Sequence, residues 1–458
     1  MISPGIFKAY DIRGIVDSAL TVDAVRSIGA AVGSTALERG VSHVVVGRDG
    51  RLSGPKLSAA LIEGLRATGV AVTDIGMVPT PVLYFATHHL GTGTGVEITG
   101  SHNPPEYNGL KMMIAGETLH GDGIQALRQR IEQGRLTRAS APGELKQADL
   151  VDDYLTRIVG DVKLVRPMKI AIDCGNGVAG AVAPRLFRSI GCEVIELFCD
   201  VDGNFPNHHP DPAHPENLQD LIRCLRETDA EVGLAFDGDG DRLGVVTKDG
   251  QIIYPDRQIM LFAKDILANR KGGEIIFDVK CTRQLAPWIR QHGGTATMWR
   301  TGHSLIKAKL KETKAPFAGE MSGHLFFNDR WPGFDDGLYA GARLLEILSR
   351  DSNPSAVLNG LPTAVNTPEL QLKTAEGENF SLVERLQSEG KFDGAAEVIK
   401  IDGVRVEYED GFGLARPSNT TPMVIMRFEG DDEAALKRIQ QVFAAQIRRF
   451  KPDVQLPF

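Results

Sequence analysis

The sequence predicts an α/β protein with three consecutive α/β domains, whose sheets are mixed but mostly parallel, followed by a C-terminal α+β domain. Three observations lead to this fold class. Short apolar runs alternate with amphipathic stretches as far as about residue 360, the tail is typical of consecutive strands followed by a helix, and 458 residues suffice for three or four domains.

The alternating part contains three units in which a strand, a helix and a second strand follow one another through short turns. The strand runs are mostly apolar, as is typical of strands covered on both faces of a parallel sheet. Strand, helix and strand are predicted at 42–47, 56–68 and 70–76 in the first unit, 168–174, 178–190 and 192–198 in the second, and 274–280, 283–292 and 295–299 in the third.

The tail changes pattern between residues 397 and 430, where strand-like segments are separated by glycine turns. Asp-Gly pairs at 402–403 and 410–411 indicate hairpins, because this dipeptide fits the tight turns between antiparallel strands. A helix is predicted after an N-cap at Asp432, with apolar residues every three or four positions at Leu436, Ile439, Phe443, Ile447 and Phe450.

Polar and turn-rich segments indicate the domain boundaries. A polar stretch at 137–147, a Lys-Asp-Gly turn at 248–250 and a segment rich in Ser, Asn and Pro from residue 352 interrupt the periodic pattern. We therefore expect domains at residues 1–150, 151–252, 253–365 and 366–458.

Composition restricts the class of protein. A formal charge of −8 provides no general basic surface, so neither nucleic acid nor a membrane is expected as a partner. Five scattered cysteines without a CxxC pair argue against a disulfide framework or a structural zinc site. The first residues do not resemble a signal peptide and no apolar run could span a bilayer, so we expect a cytoplasmic protein.

The most informative segment is DGDGDR, residues 237–242, which follows an apolar run. In an extended chain Asp237, Asp239 and Asp241 project from the same side, and the intervening glycines let the carboxylates converge. Such a group requires a cation, and oxygen ligands favour Mg²⁺ or Ca²⁺. An EF-hand does not fit, since Arg242 and Lys248 stand where it requires Gly and Glu. A solvated acidic turn is the alternative.

A second segment, TGSHNPPEYNGLK at 99–111, follows a strand-like run, where the loops of α/β sheets form ligand crevices. Ser101 is a candidate nucleophile, and Lys111 is a candidate cation for a transferring phosphoryl group. An ordinary turn rich in Ser, Asn and Pro would explain the segment equally well.

Two further loops carry polar groups. GEMSGH at 319–324 offers a carboxylate and a hydroxyl, from Glu320 and Ser322, that suit adjacent hydroxyls of a polyol, although on its own a polar loop is the better interpretation. RPSNTTP at 416–422 combines Arg416 with hydroxyls and backbone N–H groups that suit a phosphate dianion.

The turn GNGVAG at 175–180 favours a different function. It matches the GxGxxG dinucleotide fingerprint between a strand and a helix, and Glu196 lies near the end of the next strand, as in an oxidoreductase. A glycine-rich turn without a ligand is the alternative.

Together, TGSHNP, DGDGDR, GEMSGH and RPSNTTP resemble the α-D-phosphohexomutase family in order and spacing. The similarity covers essentially the whole chain, including FKAYDIRG, VGRDGRLSGP, DGNFPNHHPDP and TGHSLIK, and is strongest to bacterial bifunctional phosphomannomutase/phosphoglucomutases. That family carries a similar glycine turn without binding NAD. The resemblance implies four domains arranged around a central active-site cleft.

The resemblance also implies roles for the matching residues. Ser101 would carry the phosphoryl group and would bind Mg²⁺ together with Asp237, Asp239 and Asp241. The catalytic group would also include Lys111 and His324, at general acid/base positions, and Arg13 and Arg242. The substrate-binding positions would be Tyr10, Lys280, His303, Glu320, Met321, Ser322, Arg416, Ser418, Asn419 and Thr420.

The implied activity is the reversible interconversion of hexose 1-phosphates and 6-phosphates, of mannose and glucose, through a phosphoserine and a hexose 1,6-bisphosphate. Mg²⁺ would be the cofactor, glucose 1,6-bisphosphate an activator, and the enzyme a monomer whose partners are small hexose phosphates. A phosphatase on the same scaffold and a non-catalytic sugar-phosphate sensor are the alternatives. Met321 favours a hexose enzyme over a phosphoglucosamine mutase, which usually has Gln there.

Overall fold

The computed structural model describes residues 2–419 and 421–458, and its strands form four sheets that follow one another along the chain. The first three sheets combine parallel and antiparallel pairs, whereas the fourth is antiparallel throughout. This architecture confirms the predicted fold class.

The first sheet has seven strands. They are β1 (Ile12–Ile15), β2 (His43–Arg48), β3 (Ala71–Met77), β4 (Gly95–Ile98), β5 (Tyr107–Ile114), β6 (Glu117–Thr118) and β7 (Leu145–Gln147). The helices of this part are α1 (Val22–Glu38), α2 (Gly54–Ala67), α3 (Thr80–His89) and α4 (Asp122–Glu132). The strand order is β1-β5-β4-β2-β3-β7, with β6 beside β5.

The second sheet follows helix α5 (Val151–Asp161). Its strands are β8 (Met168–Asp173), β9 (Cys192–Leu197), β10 (Val232–Phe236), β11 (Leu243–Thr247) and β12 (Ile252–Ile253), with helices α6 (Ala183–Ser189) and α7 (Gln219–Glu227) between them. The predicted helix at 178–190 is divided into a short 3-10 turn and α6, whose first turn contains Pro184. Proline fits there because that position has no helical N–H partner.

The third sheet follows helix α8 (Pro255–Asn269). Its strands are β13 (Glu274–Asp278), β14 (Thr295–Trp299), β15 (Phe317–Gly319) and β16 (Leu325–Phe327). The remaining helices are α9 (Leu285–Gln291), α10 (His303–Thr313), α11 (Gly337–Leu348) and α12 (Pro354–Asn359).

The fourth sheet comprises β17 (Val365–Asn366), β18 (Leu370–Lys373), β19 (Glu397–Ile399), β20 (Val404–Tyr408), β21 (Gly411–Pro417) and β22 (Met423–Gly430). Helix α13 (Glu378–Glu389) precedes β19, and α14 (Glu433–Phe450) ends the domain. Both predicted hairpins are confirmed, and Asp432 caps α14 by accepting a hydrogen bond from the N–H of Ala435 at 2.8 Å.

One four-strand arrangement recurs in the first three sheets. A central strand has parallel neighbours on both sides, and the last strand returns antiparallel: β3-β2-β4-β5, β9-β8-β10-β11 and β14-β13-β15-β16. The connection to the returning strand leaves the carboxyl end of a parallel strand, where α/β sheets bind ligands. These connections are residues 99–106, 237–242 and 320–324, each within a segment singled out above.

The first three sheets share one apolar core. Its members come from all three parts of the chain and include Leu83, Tyr154, Phe187, Phe262, Phe317 and Leu338. The C-terminal sheet has its own core, and buried Arg405 joins it to the third sheet by donating to the carbonyls of Val279 and Cys281 at 2.6 Å. The loops at the strand ends are thus held around a common centre.

Within residues 2–419 and 421–458, no helix combines the length and the apolar character needed to cross a membrane.

Candidate active site

The four loops meet in a cleft of about 1200 Å³. Among its walls are six cationic side chains, those of Lys8, Arg13, Lys111, Arg242, Lys280 and Arg416. The lining also has five carboxylates, so cationic groups exceed acidic ones by one in a protein of net charge −8, and this local excess fits a small anionic ligand. The cleft is also lined by Tyr10, Ser101, His303, Glu320, Met321, Ser322, His324 and Ser418.

Ser101 occupies the loop after β4 and is buried. Its φ is 49°, a left-handed conformation that a non-glycine residue adopts only where its surroundings impose it. The N–H donates to Oγ1 of Thr99 at 2.8 Å, and the hydroxyl donates to Oδ2 of Asp237 at 3.0 Å. The loop therefore presents the hydroxyl to the carboxylates of the second sheet.

Arg51 holds this loop from behind, a role that sequence reasoning missed. Its fully buried guanidinium donates to three loop carbonyls, those of Ser101, Asn103 and Pro104, and to that of Tyr107 at the start of β5, and it lies 3.3 Å from Asp49. Gly100 allows this approach, since a Cβ there would lie 2.3 Å from Nε of Arg51. The only signal in the sequence was the VGRDGRLSGP stretch, to which no chemistry was assigned.

The three aspartates converge as the sequence predicts. Oδ1 of Asp237 accepts from the N–H of Asp241 at 3.1 Å and of Arg242 at 3.2 Å, which curls the loop around that carboxylate. One oxygen each of Asp237, Asp239 and Asp241 lies within 4.8 Å of the others, and all three side chains are buried. Thr80, unassigned from sequence, donates to Oδ2 of Asp239 at 2.6 Å.

The donor set fits a hard divalent cation. Oδ1 of Asp239 is buried and accepts no hydrogen bond from any residue that the structure describes. Burial, together with the carboxylates of Asp239 and Asp241, raises the pKa of Asp237 well above its usual range. Burial also acts to raise the pKa of Asp239 and of Asp241, but the opposing effects, of which that of Lys111 is the largest, lower both. Carboxylate and hydroxyl oxygens are the ligands that Mg²⁺ prefers.

Lys111 contributes a cation at the same place. Its ammonium group donates to Oδ2 of Asp239 at 2.7 Å and to Asp241. Burial alone lowers the pKa of Lys111, but the two carboxylates outweigh it and raise that pKa above its ordinary value. On the other side, Nε of Arg242 lies 3.7 Å from Oδ2 of Asp237, and Arg13 donates to the side chain of Asn103.

Close backbone packing brings the serine loop and the aspartate loop together. A Cβ on Gly238 would lie 2.2 Å from the carbonyl oxygen of Ser101, so only glycine permits this approach. The N–H of Val178, in the 175–180 turn, donates to the carbonyl of Gly238 at 3.1 Å. A Cβ on Gly180 would lie 2.0 Å from the carbonyl oxygen of Cys199. The turn glycines thus serve backbone packing, which removes the main support for the dinucleotide interpretation.

The loop after β15 extends the site towards the third sheet. Glu320 accepts from the N–H of Gly302, and its other oxygen lies 3.3 Å from Nδ1 of His324. The hydroxyl of Ser322 is 2.8 Å from the same nitrogen, and Nε2 of His324 is 3.3 Å from Oδ1 of Asp241. Burial lowers the pKa of His324, but Asp241 and Glu320 outweigh it and raise that pKa to about 9.

Three further cleft residues are held by acidic partners or by backbone contacts. Met321 donates its N–H to Asp278 at 3.0 Å. Nδ1 of His303 lies 3.3 Å from Asp335, a buried carboxylate that also accepts from Lys307 at 2.8 Å. Nζ of Lys280 lies 2.9 Å from Glu369 of the C-terminal domain.

The C-terminal loop contributes Arg416 and Ser418 to the cleft. Nε of Arg416 donates to Oδ2 of Asp402 at 3.0 Å, and the same oxygen accepts from the N–H of Thr301 at 2.9 Å. Within the loop, the N–H of Ser418 donates to the carbonyl of Met423 at 2.8 Å. Asp402 thus fixes both the guanidinium and the position of the loop against the third sheet.

Tyr10 links the two ends of the chain. Its hydroxyl donates to the carbonyl of Thr301 at 2.9 Å and accepts a hydrogen bond from the side-chain amide of Asn419. Its ring lies over Gly302, where a Cβ would approach it to 2.7 Å. Thr420, the remaining residue assigned from sequence, lies outside the described residues.

Comparisons with known proteins cover the chain from end to end. Residues 4–138, 152–250 and 254–365 match the three domains described as "Phosphoglucomutase/phosphomannomutase, alpha/beta/alpha domain" I, II and III, and residues 369–446 match the "Phosphoglucomutase/phosphomannomutase, C-terminal domain".

Comparisons with individual proteins are consistent with these domain matches. A phosphoglucomutase of Neisseria meningitidis serogroup A is 58% identical, with 97% of each chain covered. A phosphomannomutase/phosphoglucomutase of Pseudomonas aeruginosa PAO1 is 54% identical over 99% of this chain and 97% of its own. The crystal structure of a phosphoglucomutase/phosphomannomutase family protein from Burkholderia thailandensis superposes with a TM-score of 0.95 at 61% identity, covering 100% of both chains. The chain therefore belongs to the phosphoglucomutase/phosphomannomutase family.

Proposed function

We propose that the protein is an isomerase that interconverts hexose 1-phosphates and 6-phosphates, of both mannose and glucose. The observation that carries this proposal is the position of the Ser101 hydroxyl, which lies in a cleft lined by several Arg and Lys side chains and is 3.0 Å from Asp237, one of three clustered buried carboxylates. Family membership and the phosphomannomutase/phosphoglucomutase activity named for a 54% identical relative support it.

The reaction consists of two phosphoryl transfers. In the first, the P–O bond to Oγ of a phosphorylated Ser101 breaks and a bond forms to the free 6-hydroxyl of a hexose 1-phosphate, giving the 1,6-bisphosphate. His324 and Lys111 are the candidates for exchanging a proton with this hydroxyl; their raised pKa values keep both protonated at neutral pH, so the one that accepts the proton must first have given up its own. The bisphosphate then turns around, its 1-phosphoryl group returns to Ser101, and the 6-phosphate leaves.

The buried residues stabilise the charge that moves during transfer. Ser101 with Asp237, Asp239 and Asp241 would hold Mg²⁺, which supplies charge neutralisation and polarises the P–O bond when it is bound. Lys111 donates to two of these carboxylates and so lies where a cation would stabilise the transferring group. Arg242 lies 3.7 Å from Asp237, and Arg13 donates to Asn103 in the loop that carries Ser101.

The other polar residues of the cleft would recognise the substrate. Glu320 and Ser322 would hold the O3 and O4 hydroxyls, which glucose and mannose share, so the configuration at C2 would not be discriminated. Tyr10, Lys280, His303 and Met321 would complete the sugar site. Arg416, Ser418, Asn419 and Thr420 would bind the non-reacting phosphate in either orientation of the sugar.

The proposal extends to the organisation and setting of the enzyme. We place the domain limits at residues 1–150, 151–252, 253–365 and 366–458, so that each domain contributes one loop to the cleft. Glucose 1,6-bisphosphate would act as activator, because it restores the phosphoserine whenever the intermediate escapes. The enzyme would act as a cytoplasmic monomer on small hexose phosphates.

Phosphorus NMR tests the proposal. Glucose 1-phosphate and mannose 1-phosphate, each with Mg²⁺ and a trace of glucose 1,6-bisphosphate, should both convert to their 6-phosphates. Release of inorganic phosphate without isomerisation would instead indicate a phosphatase. Binding without any conversion would indicate a sensor.

A further inference from the structure

Two thiols face each other beneath the aspartate loop. Cys174 follows β8 directly and Cys199 lies just beyond β9, its parallel neighbour in the sheet. Their sulfur atoms are 3.6 Å apart although 25 residues separate them in the chain. Cys174 is buried and Cys199 is partly exposed. A disulfide requires a separation of about 2.05 Å, so the sulfurs need to approach by only about 1.5 Å.

We propose that Cys174 and Cys199 form a reversible disulfide when a peroxide is present, and that this bond weakens the binding of Mg²⁺ by the aspartate loop. The formation of the bond is independent of the function proposed above. The effect on Mg²⁺ rests on that function, through the cation site formed with Asp237, Asp239 and Asp241.

The chemistry is a two-electron oxidation of the thiol pair. The partly exposed Cys199 sulfur, as thiolate, attacks hydrogen peroxide: an S–O bond forms, the O–O bond breaks and hydroxide leaves. The sulfur of Cys174 then displaces the oxygen of this sulfenic acid, the S–S bond forms and the oxygen leaves as water. Overall, two thiols and one peroxide give one disulfide and two waters, and an added dithiol reverses the reaction.

The different environments of Cys174 and Cys199 determine the order in which the two thiols react. The hydrogen bond from Cys199 and burial together raise the pKa of Cys174 well above its ordinary value, so Cys174 remains a thiol when oxidant arrives. Cys199 is the partly exposed residue of the two, so we assign the first reaction with the oxidant to it. Cys174 therefore acts second, on an already oxidised partner.

Backbone contacts connect the pair to the metal site. A Cβ on Gly180 would lie 2.0 Å from the carbonyl oxygen of Cys199, and one on Gly177 would lie 3.0 Å from the carbonyl oxygen of Cys174 and from Gly238. Gly238 in turn packs against the carbonyl of Ser101. Because these contacts are between backbones, no flexible side chain absorbs a displacement. Drawing Cys199 towards Cys174 therefore shifts the 175–180 turn and the loop that rests on it.

Two measurements on the full-length protein test the proposal. After treatment with hydrogen peroxide, peptide mapping should find residues 174 and 199 cross-linked, and intact mass should show the loss of two hydrogen atoms. Calorimetric titration with Mg²⁺ should then show an affinity about fivefold lower or weaker still, restored by dithiothreitol.

Cysteine variants provide the controls. Cys199→Ala and Cys174→Ala should form no cross-link, and their Mg²⁺ affinity should not change with peroxide. Cys224→Ser, which removes another partly exposed thiol, should behave as the wild type. Absence of the cross-linked peptide in wild type would overturn the proposal, and a cross-link with unchanged Mg²⁺ affinity would overturn the coupling. If the reduced protein does not bind Mg²⁺, the proposed function is contradicted. The presence or absence of the cross-linked peptide then still tests whether the disulfide forms.

Discussion

The hydroxyl of Ser101 donates a hydrogen bond to Oδ2 of Asp237 across 3.0 Å, although 136 residues separate the two in the chain. Each residue lies in the connection between the third and fourth strands of the recurring arrangement, one in the first sheet and one in the second. The shared core brings these two connections together. The candidate phosphoryl acceptor and the candidate cation site therefore arise from packing two similar sheets at equivalent edges.

Gly238→Ala should separate these loops, because the added Cβ would lie 2.2 Å from the carbonyl oxygen of Ser101. We expect kcat to fall about 100-fold, since a displacement of about 1 Å at a reacting group is sufficient for such a loss. Gly160→Ala is the matched control, because its Cβ would meet no atom within 4 Å. Steady-state kinetics should give kcat for both variants. Equal kcat values for Gly238→Ala and Gly160→Ala would contradict the proposed role of the loop contact.

Arg51→Lys should loosen the serine loop, because an ammonium group cannot replace a guanidinium that serves four carbonyls. We expect a loss of about 2–4 kcal/mol in the free energy of unfolding, together with reduced turnover. Urea denaturation of the variant measures the first effect. Arg26→Lys, at an exposed ion pair, should leave the midpoint unchanged; equal midpoints for both variants would show that Arg51 does not hold the loop.

Arg416→Ala should act mainly on KM. Asp402 fixes the guanidinium between the third and fourth sheets, whereas Ser101 belongs to the first, so the proposed role of Arg416 is to bind the phosphate that does not react. Loss of a charge-assisted contact of this kind should raise KM about 10- to 100-fold, with a smaller change in kcat. Arg438→Ala, on the exposed face of α14, is the control. A fall in kcat at unchanged KM would assign Arg416 to the chemical step.

Asp336 should make stability depend on pH. It caps α11 in the shared core, accepting from the N–H of Tyr339 at 2.8 Å, and burial raises its pKa from 3.8 to about 7. Between these values the folded state keeps a proton that the unfolded chain has lost, so the stability contributed here falls as pH rises and reaches its minimum above pH 7. The decrease should be about 4 kcal/mol.

Asp336→Asn removes this titration. The difference in unfolding free energy between variant and wild type should therefore move in favour of the variant from pH 4 to pH 8, measured by urea denaturation at several pH values. A constant difference for Asp336→Asn would mean that this carboxyl titrates alike in both states.

Sequence reasoning predicted the elements whose residue pattern directly reflects their structure or chemistry. The apolar runs of β2, β8 and β13 were recognisable because strands covered on both faces need no polar alternation. The aspartate loop was recognisable because alternating Asp and Gly has few structural purposes. The division of the 178–190 segment into a 3-10 turn and a helix could not be recognised from sequence, because it depends on how the turn packs against Gly238 and Cys199.

Other parts of the site could not be predicted from one sequence. Arg51 binds main-chain carbonyls. Every residue has a carbonyl, so such contacts leave no pattern of residue types in the sequence. Thr80 and Asp335 reach the site from helix and loop positions whose neighbours are distant in the chain. Their roles follow from the packing of three sheets around one core, which sequence periodicity does not describe.

The most direct test of the central claim follows a phosphoryl group through Ser101. The protein is incubated with glucose 1,6-bisphosphate, separated from it, mapped by mass spectrometry and then mixed with glucose 1-phosphate. We expect one phosphoryl group on Ser101, its transfer to the added sugar as glucose 1,6-bisphosphate, and neither event in Ser101→Ala. Phosphorylation of another residue, or release of the group only as inorganic phosphate, would contradict the account.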